Sequence, residues 1–164
     1  DAVVFTERLG RAADGKFYNM RSEDISAWTP SLDWISVLCS RKNIFTVGIG
    51  DGGNEVGMGN FVTEICNIRP EFRKCLSVIR TDVTIPVDVS NWGCYALSTA
   101  LSYIWREWLG PGKNDERSML EALIEKKAVD RKSKKSELTV DGFEIDVHEG
   151  IISELYGIWN KYSS

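Results

Sequence analysis

Between Gly48 and Gly59 the chain reads Gly-Ile-Gly-Asp-Gly-Gly-Asn-Glu-Val-Gly-Met-Gly, so six of its 14 glycines fall within twelve residues. Glycine loses more conformational freedom on folding than any other residue. A cluster this dense implies a backbone that turns through positive φ or passes close to something else. The cluster follows Ile44–Ile49, a β-branched run predicted to be a strand, and precedes Val56–Ile68, a predicted helix. It is therefore a strand-end loop, and α/β proteins bind ligands outside the carboxyl ends of their strands. No Lys-Ser or Lys-Thr follows, which excludes a Walker loop, and the spacing misses the dinucleotide fingerprint.

Chemistry in the cluster falls to its polar members. Asp51, Asn54 and Glu55 are the candidate catalytic residues, with Asp51 or Glu55 as general base. The same two carboxylates are candidate ligands for a hard divalent cation, Mg or Mn, which takes oxygen donors. Gly52 and Gly53 offer backbone N–H groups to an anion and, with Asn54, are candidate oxyanion donors. A purely structural reading makes this a Gly-rich turn with Asn54 capping the following helix.

Two further constellations fall at predicted strand and helix ends. Glu7-Arg8-Leu9-Gly10-Arg11 follows the opening apolar run Ala2–Phe5, and Arg8 and Arg11 suit bidentate recognition of a carboxylate. Surface ion pairs would use the same residues. Val89-Ser90-Asn91-Trp92-Gly93 opens a predicted helix, where Ser90 and Asn91 either cap it or present a hydroxyl and an amide to a ligand.

The remaining pattern predicts an α/β chain, a layered sheet with flanking helices, Rossmann-like. Helices are expected at Ser31–Arg41, with Leu32, Ile35, Val37 and Leu38 mostly on one side, and at Trp92–Leu109, apolar nearly all round and hence buried. Two more are expected at Asp115–Val129, with Asp115 as a cap, and at Ile151–Tyr162. Leu76–Ile79 and Val83–Val89 read as extended, and Glu137–Val147 as a hairpin turning at Asp141-Gly142.

At 164 residues a single domain is the natural expectation. The longest apolar stretch, Trp92–Leu109, is interrupted by Arg106 and Glu107, so no membrane span is expected. A net charge of −4 argues against nucleic acid as a partner. Six basic residues between Lys126 and Lys135, with Arg117 upstream, read as a solvated helix end and loop. Cys39, Cys66, Cys75 and Cys94 lack metal-site spacing and read as buried thiols in a reducing compartment. His148, the single histidine, reads as the start of a helical turn rather than as a catalytic imidazole. With no initiator Met and an immediate strand, the chain reads as part of a longer protein.

Four stretches in order, ERLGRAADGKFYNMR, VGIGDGGNEVGMGN, VSNWGCYALSTAL and VDGFEIDVH, resemble the C-terminal domain of the D-glutamate cyclase family, from about Val4 to Ile152. The resemblance implies a lyase that converts D-glutamate to 5-oxo-D-proline and water, located in the mitochondrial matrix in animal members. Family domains carry an upstream half with its own acidic Gly/Pro motif, and a longer segment where this chain has Ile85–Ser90. Residues 1–164 are thus expected to be the C-terminal portion of a larger domain. The resemblance assigns no catalytic roles. From residue chemistry, Asp51 or Glu55 is the base, Gly52, Gly53 and Asn54 are oxyanion donors, Arg8 or Arg11 clamps the substrate's α-carboxylate, and Ser90 and Asn91 orient it. Two alternatives stand beside this. GDGGNE is similar to the Mg-binding GDGxND motif of haloacid-dehalogenase-type phosphatases, although no D-x-D precedes Asp51. The other is a non-catalytic small-molecule-binding module. The oligomeric state is not legible in the sequence.

Overall fold

The computed structural model describes residues 1–112 and 114–163. They form an α/β fold in two compact units, one from Asp1 to Gly93 and one from Cys94 onward, where length alone predicts a single domain.

The first unit is built on a parallel sheet of β1 (Ala2–Thr6), β2 (Phe45–Gly50) and β3 (Val83–Pro86), in the order β1-β2-β3. Val4 pairs with Val47 and Val47 with Val83, so these three share one face. Parallel strands need crossovers. The first crossover carries α1 (Trp34–Arg41); the second carries a 3-10 turn at Met58–Asn60, α2 (Val62–Ile68) and a second 3-10 turn at Pro70–Lys74. On the opposite face of β2 stand Thr46, Gly48 and Gly50, and here the glycine cluster folds back onto its own strand. A Cβ on Gly48 would collide with the carbonyl oxygen of Val56 and lie 2.9 Å from Gly57 Cα; one on Gly50 would lie 2.9 Å from Glu55 Cβ. The two glycines therefore make room for the loop itself.

Several expectations change here for local reasons. The helix predicted from Val56 begins only at Val62, because Gly57 sits at φ +103°, outside the helical region. Leu76–Ile79 forms no strand. Its backbone hydrogen-bonds to the loops instead, Ser77 N–H to Gly53 O (3.0 Å) and Val78 N–H to Arg11 O (3.0 Å). On α1 and the residue before it the buried positions are Asp33, Ser36 and Cys39, while Leu32 and Val37 face solvent. The polar pair wins because each has an internal partner, Ser36 Oγ donating to Arg80 O and Asp33 accepting from Arg11.

α3 (Ser90–Trp105) starts two residues earlier than expected and runs into the second unit. It is not buried all round, since Ile104 is 71% and Trp105 62% exposed. The second unit continues with α4 (Asp115–Glu125), a hairpin of β4 (Thr139–Val140) and β5 (Phe143–Glu144), and α5 (Ile145–Tyr162). Asn114, not Asp115, holds the cap position of α4; Asp115 accepts from Gly112 N–H at 2.7 Å. The hairpin turns at Asp141 (φ 52°) and Gly142 (φ 81°), as the dipeptide predicts. α5 starts six residues before the expected Ile151, which puts His148 inside the helix and fully buried. Arg117 ties α4 to α5, its Nε donating to Glu149 (2.8 Å) and an Nη to Asp146 (3.0 Å). The basic side chains from Lys126 to Lys135 are all exposed. Asp130 turns this segment: burial opposes its ionisation, but N–H groups of Gly142, Ser133 and Lys132 outweigh that and lower its pKa to about 2.

Cys39, Cys66 and Cys75 are buried free thiols and Cys94 is half-buried. Among the described residues no helix is long and apolar enough to cross a membrane.

The loop packing predicts opposite outcomes for two glycine substitutions. Gly48→Ala should destabilise by on the order of 2 kcal/mol, as overpacking against backbone does. Gly150→Ala, in α5 with nothing within 4 Å of the new methyl, should stabilise by about 1 kcal/mol. Urea unfolding midpoints that move together would remove this explanation of the glycine pattern.

Candidate functional site

At the carboxyl end of β2 the chain turns through Asp51-Gly52-Gly53, with Gly53 at φ +104°. The Glu55 side chain then folds back, and its carboxylate accepts Gly53 N–H at 2.7 Å and Gly52 N–H at 3.0 Å. Outside this turn the loop pairs with the first polar segment. Leu9 and Glu55 form an antiparallel bridge, flanked by Gly10 N–H to Asn54 O (2.9 Å) and Val56 N–H to Arg8 O (2.7 Å). The Asn54 side chain donates to Tyr18 O at 2.7 Å and is buried. The Glu7–Arg11 and Gly48–Gly59 motifs, far apart in sequence, are therefore one backbone-bonded unit.

This geometry gives several proposed site residues other work. The Gly52 and Gly53 N–H groups are occupied by Glu55, and the Asn54 amide by Tyr18, so none of the three stands ready for an oxyanion. Nor is Asn54 a helix cap. Each Glu55 oxygen already accepts one of these N–H groups, so the carboxylate holds the turn in place. Asp51 is exposed, with a carboxylate oxygen within 4.8 Å of one on Glu7. Arg11 is taken by fully buried Asp33, through Nε to Oδ2 (2.6 Å) and Nη2 to Oδ1 (2.9 Å), with Ser31 beside them. Burial opposes ionisation of Asp33, yet the Arg11 guanidinium and N–H hold its carboxyl below the usual carboxylate range. Arg8 is half-buried, its Nε buried without a hydrogen-bond partner. Ser90 Oγ is likewise buried and unpartnered at the start of α3, where Asn91 is half-buried.

A cleft of about 490 Å³ opens beside the loop, at the carboxyl ends of β2 and β3. Asp51, Gly52 and Gly53 line one side. Glu64 of α2, Arg69 at its end and Asp88 just beyond β3 supply the other charges, over an apolar floor that includes Phe61, Ile65 and Phe72. Arg8, Arg11, Asn54, Glu55, Ser90 and Asn91 are not among its lining residues. Sequence reasoning missed Glu64, Arg69 and Asp88. Asp88 was within reach of the strand-end rule that singled out Asp51. Arg69 carries a weaker signal, the Pro70 that ends α2 behind it.

Burial is the main cause that raises the Glu55 pKa; the Gly53 N–H opposes it and the charge of Asp51 adds to it. The folded state thus holds this proton more tightly than the unfolded chain. The associated stability is present at low pH and is lost as pH rises through the raised value. Carboxyl NMR should place the Glu55 midpoint above the ordinary Glu value of about 4.3, and Asp51→Asn should lower it. A midpoint unmoved in Asp51→Asn would remove the coupling.

Arg11→Gln leaves the Asp33 charge buried without its partner, which costs several kcal/mol in a fully buried pair. Because the Arg11 side chain is 37% exposed, solvent screening reduces the expected loss to about 2 kcal/mol. Thermal melts should show it, with small-molecule affinity unchanged; a normal melt with lost affinity would return Arg11 to the binding site.

Over 106 residues the chain is 35% identical to "D-glutamate cyclase, mitochondrial" of Homo sapiens. That stretch is 64% of this chain and 17% of the human protein, so the chain spans under a fifth of the length of that relative. The family described as "D-glutamate cyclase-like, C-terminal" matches residues 1–156, nearly the whole length. The chain belongs to the D-glutamate cyclase-like C-terminal family.

Proposed function

We propose that the protein acts as a D-glutamate cyclase, in the mitochondrion like its human relative, with its substrate in the cleft at the ends of β2 and β3. The observation that carries this reading is the cleft itself, a strand-end site with exposed carboxylates at Asp51, Glu64 and Asp88 around an apolar floor, in a member of this family.

The reaction balances without a co-substrate. The α-amine nitrogen bonds to the γ-carboxyl carbon, the C–O bond to one γ-oxygen breaks, and one water leaves. The ammonium must lose one proton to a base before it attacks and the nitrogen a second afterwards, and the departing carboxylate oxygen must gain two to leave as water. Both partners lie in one molecule, so orientation supplies much of the rate. Asp51 is assigned as the base, since its carboxylate is exposed at the cleft wall while Glu55 is committed to the loop. Glu64 and Asp88 are the groups available to hold the ammonium and to return a proton to the leaving water. The methylenes of the substrate rest on Phe61 and Ile65.

Incubation of the protein with D- and with L-glutamate, followed by chiral chromatography of 5-oxoproline, tests the reading. Product is expected from D-glutamate alone, and Asp51→Asn should lower kcat by roughly 100-fold or more, as loss of a general base does. No product from either enantiomer, with glutamate bound but unchanged, would make the chain a binding module instead.

A further inference from the structure

We propose that Arg69 is the residue that grips the α-carboxylate of the amino-acid substrate, an assignment that rests on the cyclase reading above. Among the described residues lining the cleft, Arg69 carries the only positive charge, against carboxylates at Asp51, Glu64 and Asp88. An α-amino acid brings both signs within one carbon. A wall of carboxylates attracts its ammonium and repels its α-carboxylate unless a cation receives the latter. Arg8 and Arg11 do not line the cleft, and Arg11 is spent on Asp33.

The guanidinium is held ready for this. Its backbone is set by the end of α2, with Arg69 N–H donating to Ile65 O at 2.7 Å, and by Pro70, which restricts the residue before it. Its Nε donates to Glu71 Oε1 at 2.7 Å, and its carbon lies 4.9 Å from the centre of the Phe72 ring. One edge and one face are thereby occupied. The two Nη groups have no hydrogen-bond partner among the described residues and keep the planar fork that matches a carboxylate. The Arg69–Glu71 pair is solvent-exposed on both sides, and exposed pairs are weak. An incoming carboxylate can therefore compete with Glu71 for the guanidinium.

The arrangement also accounts for chirality. With the α-carboxylate on Arg69 and the ammonium toward the carboxylates, two of the four substituents at Cα are placed. Only one enantiomer then lays its side chain along Phe61 and Ile65 with the γ-carboxyl carbon in reach of the amine.

The test uses Arg69→Gln and Arg69→Lys in the protein. D-Glutamate serves as substrate, and 4-aminobutanoate, which lacks the α-carboxylate, as competitive inhibitor. Arg69→Gln should raise KM for D-glutamate roughly 10- to 100-fold, the range for a lost charge-assisted hydrogen bond, with kcat changed by only a few-fold. Arg69→Lys should restore part of the affinity, because it keeps the charge and loses the fork. Inhibition by 4-aminobutanoate should be the same in all three proteins. An unchanged KM in Arg69→Gln, or an equal loss for 4-aminobutanoate, would overturn the clamp and leave the cyclase reading standing. Failure of the unaltered protein to turn over D-glutamate would overturn that reading, and the clamp with it.

Discussion

The return of the Gly48–Gly59 loop onto the strand it leaves organises the first unit. Side chains at Gly48 and Gly50 would occupy the space that Val56, Gly57 and Glu55 take, so the two glycines let backbone lie against backbone. The Glu55 carboxylate then closes the turn from inside by accepting the Gly52 and Gly53 N–H groups. Burying a charge is costly unless it is hydrogen-bonded, and here two backbone donors offset part of that cost while burial still raises the Glu55 pKa. With the loop in this shape its outer edge pairs with Arg8–Gly10 and its inner edge with Ser77 and Ile79. One self-contained turn thus fixes two otherwise irregular segments and leaves Asp51 at the rim of the cleft.

Charged residues in this protein divide by environment into two kinds of work. Two of those removed from water have internal partners: Asp33 has Arg11, and Glu55 has backbone N–H groups. In the second unit the Arg117 side chain makes the same kind of internal link to Glu149. Those around the cleft, Asp51, Glu64, Asp88 and Arg69, face solvent and are free to exchange water for a ligand. The division explains why motif residues with good chemical credentials belong to the scaffold, while the cleft is furnished largely by positions that no motif marks. Arg11 has the right fork for a carboxylate, but the carboxylate it meets is that of Asp33.

The same division sets what was legible in the sequence. Periodicity and glycine density found β1, β2, the strand-end loop and the Asp141-Gly142 hairpin, because each depends on local backbone preference. The start of α2 was misplaced, since apolar spacing from Val56 to Ile68 reads as one helix while Gly57 and Gly59 serve the loop. On α1 the apolar residues were expected inside, but Asp33 and Ser36 are there, and their partners Arg11 and Arg80 lie far away in the chain. A buried polar residue cannot be told from an exposed one until its partner is known.

The sequence by itself determined the α/β class and the family and marked the loop beyond β2, because all three follow from the order of strands, turns and glycines along the chain. Tertiary structure alone decided which polar groups face the cleft beside that loop. Asp51 points outward and Glu55 inward although only three residues separate them, since Gly52 and Gly53 turn the backbone between. Arg69 and Glu64 join Asp51 because the β2–β3 crossover brings the end of α2 over the strand ends, and Asp88 joins it because β3 pairs alongside β2. Hydrogen-bond partners and cleft walls are relations between distant segments, and no local pattern encodes them.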